Sequence, residues 1–92
     1  MNQQAKAIYD LVREAHDAAK LDLTAAKPKI GAARLKIEQA VDQAQQAKNQ
    51  SLADYATSSA SFLGSLERSE RYSTVYSGTL ETLERHVAHV AE

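Results

Sequence analysis

His86 and His89 stand one helical turn apart near the end of the sequence, with Glu92 a further turn along, and spacing of that kind can offer side chains to a metal ion. The i,i+4 pair of helical zinc sites is missing, however, and no Glu lies three residues before any His, as di-iron bundles require. Two imidazoles near a helix C-terminus read more simply as exposed groups that favour the negative end of the helix dipole when protonated, so no metal or other cofactor is expected. His16, between Ala15 and Asp17, has no companion motif for phosphotransfer on a helical bundle. Asp10, Glu14 and Asp17 recur at helical spacing as paired carboxylates would, but Arg13 and Lys20 interleave them, which predicts a solvated ion-pair face. Serines and threonines are plentiful, yet none sits in a Gly-flanked nucleophile turn, and Gly31, Gly64 and Gly78 are too scattered to cradle a phosphate. With no cysteine, thiolate nucleophiles, thiolate zinc sites and disulfides are excluded. No catalytic residue is expected, and the chain reads as a non-enzyme.

The bulk composition narrows the partners. A formal net charge of −1 leaves no basic surplus to neutralise phosphates, which argues against nucleic acid, and no basic stripe is present to attract an anionic membrane. No stretch approaches the apolar length of a membrane span, and Met1-Asn2-Gln3-Gln4-Ala5-Lys6 lacks the apolar run of a signal peptide. The expected location is the cytoplasm, or outside the cell without a cleaved signal. A chain of 92 residues forms one domain with a modest core, so a protein partner or a second copy is expected to complete it.

The elements that must carry these residues follow from apolar periodicity. Stepping by threes and fours from Ala5 gives Ile8, Val12, Ala15, Ala19, Leu23, Ala26, Ile30, Ala33, Ile37, Ala40, Ala44 and Ala47, all apolar. A second seam runs Leu52, Tyr55, Ser59, Phe62, Leu66, Ser69, Ser73, Tyr76, Leu80, Leu83, Val87, Val90. Between them the step jumps to five across Lys48-Asn49-Gln50-Ser51, where Asn49 suits a left-handed C-cap and Ser51 with Asp54 resembles an N-cap and acidic first turn. The prediction is all-α: an antiparallel hairpin of two long helices, kinked at Pro28, that completes a four-helix bundle by dimerisation. Loops at Lys27–Gly31 and Thr57–Ser61 would instead give a three-helix bundle.

Alanine along the first seam lets another backbone approach closely, while Leu, Tyr, Phe and Val of the second fill the space. A two-helix hairpin leaves the outer edges of both seams open, at Leu11, Ala18, Leu35, Val41, Leu63, Tyr72 and Val75. Leu35, Leu63, Tyr72 and Val75 are the expected partner contacts, Tyr72 because tyrosine is enriched at interfaces. The expected role is an interaction module, an adaptor joining itself or a larger protein; a structural component of a phage or filament is the alternative.

A Cys-free chain of this size with two near-equal arms and a central turn resembles the small helical-hairpin proteins of the WXG100 (ESX) superfamily and the helical partners of LXG toxins. That resemblance implies a protein of type VII secretion, or a targeting partner of a larger secreted protein, in a homo- or heterodimeric bundle. The chain departs from the family motif: Lys48-Asn49-Gln50-Ser51 stands where a Trp-x-Gly turn would be, and neither Tyr72 nor Tyr76 is followed at the fourth place by an acid.

Overall fold

Helix starts in this chain are written by short polar side chains. In the computed structural model, which describes residues 1–92, the Asn2 side chain accepts hydrogen bonds from the backbone N–H groups of Gln4 and Ala5 at 2.9 and 3.0 Å and opens α1 (Gln3–Leu21). Asp22 ends that helix in an extended conformation, and its carboxylate accepts from Ala25 N–H at 3.2 Å to open α2 (Leu23–Gln46). The chain then reverses over Ala47–Asn49, where Lys48 has φ 59°, the one non-glycine residue in the left-handed region. Asn49 caps α3 (Gln50–Arg68) by accepting from Leu52 N–H at 3.1 Å. Ser69–Thr74 carry the chain to α4 (Val75–Val87).

The fold is therefore all-helical, with four helices in place of the two or three expected. The reversal lies where the phase break put it, although Lys48 takes the left-handed turn and Asn49, not Ser51, is the cap. The additional bends fall at Asp22, inside the one irregular step of the first seam (two successive fours from Ala15 to Leu23), and at Ser69–Thr74, where the second seam keeps its steps but places Ser69 and Ser73 on them. At Asp22 a carboxylate competes for the backbone, and at Ser69 the hydroxyl donates to the Ser65 carbonyl at 2.7 Å. Lys27–Gly31 and Thr57–Ser61 are both continuous helix. Pro28 sits in the second turn of α2, where the Thr24 carbonyl loses its helical donor; both residues are exposed.

The four helices run up, down, up and down. Arg34 of α2 pairs with Glu67 of α3 (Nε to Oε1, 2.7 Å), and the Tyr55 hydroxyl of α3 donates to the Leu83 carbonyl of α4 at 2.9 Å. The Asn2 amide donates to the Ala91 carbonyl at 2.8 Å, tying the start of α1 to the end of the chain. Helices α1 and α3 lie at the centre; α2 covers one side of that pair and α4 the other, and α2 and α4 make no close contact. The central helices consequently bury two stripes each. On α3, Leu52, Tyr55, Ser59, Phe62 and Leu66 form one, and Ala53, Ala56 and Leu63 the next. On α1, Ala5, Ile8, Val12, Ala15 and Ala19 form one, and Asn2, Tyr9 and His16, spaced by seven, form the face toward α4.

Candidate functional site

The first candidate is a groove, because its lining is apolar and open. Where α1 and α2 run side by side, two shallow cavities of about 180 and 160 Å³ share Leu11 and Lys36 and so form one trough. Its walls are mostly small: Ala7 on α1 and Ala40 on α2 line one cavity and Ala32 and Ala33 on α2 the other, with Ile8 and Ile37 at the base. The alanines keep the walls low and leave Leu11 half-exposed. Lys29 and Lys36 stand on the α2 rim and Glu14 on the α1 rim, and none of the three takes part in an ion pair within the chain.

The second candidate is a polar cluster where α1 meets the start of α4. His16 is only 4% exposed. Its Nδ1 lies 3.1 Å from the Asp17 carboxylate, which can only accept, so in the neutral ring Nδ1 carries the proton and Nε2 is bare. The Tyr72 hydroxyl, 2.7 Å from Nε2, then donates to it and in turn accepts from Ser77 Oγ at 2.7 Å. Phe62 stacks on the His16 ring with centroids 6.4 Å apart, and Tyr76 lies on Phe62 while bonding to Ser69. The order Asp, His, hydroxyl resembles a nucleophile relay; His16, Tyr72 and Ser77 themselves line no surface cavity, while Phe62 and Tyr76 beside them line the groove between α3 and α4. The arrangement acts as a clasp that holds the Ser69–Thr74 segment and the first turn of α4 against α1.

The remaining candidates are dispersed. Leu35 is 55% exposed on the back of α2, and Val75 is 71% exposed at the start of α4, beside the α3 to α4 groove. Leu63, expected at an interface, is 0% exposed, because its stripe on α3 is gripped by α2. Tyr72 is half-buried and spends its hydroxyl inside the chain, on His16 and Ser77. The four expected partner contacts are not brought together. His86 and His89 are exposed and share a shallow groove with Asp54, but no three such side chains are gathered to hold an ion. Asp10 pairs with Lys6 at 2.8 Å and Arg13 at 4.0 Å, a solvated ion-pair face; Asp17 is engaged by His16. The largest cavity, about 700 Å³ between α2 and α3, is polar, and its Arg34 is already held by Glu67 and Glu38. No helix is long and apolar enough to cross a membrane.

Comparison with protein families, curated proteins and solved structures finds no match.

Two tyrosines on the α1 and α3 faces toward α4 have a measurable consequence. Burial, and after it the neighbouring Tyr9, hold the Tyr55 hydroxyl far above its ordinary pKa; burial, and after it the Glu84 charge, raise Tyr9. The unfolded chain releases these protons near pH 10, by the reference value of about 10, while the folded chain keeps them. The stability they contribute is therefore complete below that pH and falls as pH rises above it. Tyr55→Phe should flatten the alkaline loss of stability, and it should remove phenolate absorbance that in wild type appears only as the fold is lost. The same alkaline loss of stability in wild type and Tyr55→Phe would contradict this.

Proposed function

We propose that the chain is a protein-interaction module that receives an α-helix of another protein in the trough between α1 and α2. The observation that carries this reading is the continuity of that trough: small alanine walls, an aliphatic base and a half-exposed Leu11, along residues 4–14 of α1. At 1.5 Å per residue it is about 15 Å long, enough for roughly three turns of a guest helix. Such a guest would place leucine or isoleucine at i, i+3 or i+4, and i+7 into the trough and acidic side chains beside Lys29 and Lys36. The narrower form of the proposal, in which the guest belongs to a larger co-secreted protein, is supported by the likeness of plan to WXG100 proteins alone.

The test uses Ala32→Glu, an exposed rim position that tolerates a good helix former, so the fold should be unchanged by circular dichroism. Glutamate there both fills the trough and repels an acidic guest. Photo-crosslinking from position 7 should join the chain to a helical segment of one partner, and binding of that segment should weaken about tenfold or more in Ala32→Glu, the equivalent of about 1.4 kcal/mol. Leu35→Ala, exposed on the solvent side of α2 and lining neither cavity, should bind as wild type. Equal binding by wild type and Ala32→Glu would remove the trough from consideration.

A further inference from the structure

We propose that α4 is an exchangeable arm, and that the groove it covers between α1 and α3 also accepts the α4 of a second copy of this chain. The proposal does not depend on the α1 to α2 trough, which lies on the other side of the molecule.

Three features of the bent connection carry it. First, the seam spacing runs through the bend: Phe62, Leu66, Ser69, Ser73, Tyr76, Leu80 and Leu83 stand three and four apart, as one uninterrupted helix would need, with Ser69 and Ser73 its polar members. Second, Ser69-Glu70-Arg71-Tyr72-Ser73-Thr74 contains neither Gly nor Pro and no residue in the left-handed region, in contrast to the reversal at Lys48. Nothing steric prevents these six residues from becoming helical. Third, the bent form leaves its helix ends poorly served. Thr74 provides no side-chain cap, and the first amides of α4 make only the tight bonds Tyr76 N–H to Ser73 C=O (3.0 Å) and Ser77 N–H to Thr74 C=O (3.1 Å), with Val75 N–H reaching Ser73 Oγ at 3.3 Å. Straightening would join α3 and α4 into one helix of roughly 57 Å and give those amides and the last carbonyls of α3 full helical partners.

The attachment of α4 is also the slightest in the fold. Within it only Leu83 and Val87 are buried; its polar ties are the clasp at His16, the Tyr55 bond to the Leu83 carbonyl and Glu84 beside Tyr9, and the tail beyond it is held through Ala91 to Asn2, Asn49 and Ser51. A released α4 uncovers Tyr9, His16, Tyr55 and Phe62, and the surface that fits them best is another α4, because every contact is already complementary. Two straightened chains that each lay α4 on the other's α1 and α3 would restore those contacts in a closed, two-fold dimer.

The experiment compares wild type, Ser73→Ala and Thr74→Pro after refolding from denaturant at millimolar and at low micromolar concentration, with mass read by light scattering and helix content by circular dichroism. Ser73→Ala removes the acceptor of Val75 N–H and favours helix, so the dimer association constant should rise about fivefold or more. Thr74 already has φ −62° and its N–H makes no hydrogen bond, so proline fits the bent form, while it would obstruct a helix running through the segment. Thr74→Pro should stay monomeric at every concentration with unchanged melting of the monomer. The wild-type dimer should carry more helix per chain than the monomer. No dimer from wild type or Ser73→Ala at millimolar concentration, or a Thr74→Pro chain that dimerises as wild type does, would overturn the proposal; either result leaves the trough reading and its Ala32→Glu test unaffected.

Discussion

Leu63→Ala is expected to destabilise the fold by about 2–5 kcal/mol, the range for a leucine truncated inside a core that cannot collapse onto the space left behind. Leu63 is 0% exposed and sits where α3 faces α2, one stripe round from the seam that carries Phe62 and Leu66. Its neighbours along that stripe, Ala53 and Ala56, have no reach with which to fill a void. For a domain whose whole stability is of the order of 5–15 kcal/mol, that loss is a large share of the total. Chemical denaturation checks it: the midpoint should fall steeply with the slope unchanged, since the surface exposed on unfolding is nearly the same. Leu35→Ala, at a side chain of equal size but 55% exposed, should move the midpoint hardly at all. A pair of equally small shifts would place Leu63 on the surface and would undo the two-stripe description of α3.

That pair of leucines also shows what periodicity conveys. Both seams were legible, and almost every seam residue is buried or half-buried, because a 3.6-residue period survives a bend. The bends left only slight signals: two successive fours from Ala15 to Leu23 across Asp22, and serines at seam positions 69 and 73, both of which a continuous helix also allows. The turn at Lys48 was legible because it costs the seam a step. The number of helices was in fact present in the sequence, in the second stripes. A helix touched from one side needs one apolar stripe; Ala53, Ala56, Ala60 and Leu63 form another beside the first, and that is the mark of a helix held between two neighbours. Assigning Leu63 to a partner's surface supplied the neighbour from outside when the chain supplies it from within.

The polar side of the same relation explains why the clasp escaped notice. Asn2, Tyr9 and His16 fall seven apart on α1, a heptad spacing that points all three at α4, but a hydropathy reading counts them as surface. Each has a partner that lies far along the chain: Ala91 for Asn2, Glu84 for Tyr9, Tyr72 and Ser77 for His16. No local rule couples residue 16 to residue 72, because the link exists only once α4 has folded back. The trough between α1 and α2 was half-legible. Leu11 was recognisable as an edge residue, whereas the depth of the trough depends on which alanines come to line it across an antiparallel pair, Ala7 with Ala40 in one cavity and Ala32 in the next.

Pro28→Ala should have the opposite sign to Leu63→Ala, a gain of about 2 kcal/mol. Proline inside a helix costs roughly 3 kcal/mol relative to alanine, through the lost backbone bond and the clash with the preceding turn. Against that, proline restricts the unfolded chain, and its removal gives back about 0.4–1 kcal/mol of that restriction. The position is exposed and α2 is unbroken through it, so alanine can take the vacated place with no repacking and donate its N–H to the Thr24 carbonyl. For a domain of this size the gain corresponds to a rise in melting temperature of roughly 8–16 °C, readily seen by calorimetry. The effect has a local signature as well. Pro28 separates the first turn of α2, which Asp22 caps, from the rest of the helix, so backbone amides near Ala25, Ala26 and Lys27 should exchange more slowly in Pro28→Ala than in wild type. Because loss of proline can only favour the unfolded chain, a higher melting temperature must come from the folded helix. An unchanged melting temperature would show that water at the Thr24 carbonyl and a slight unwinding of that turn already relieve most of what proline imposes.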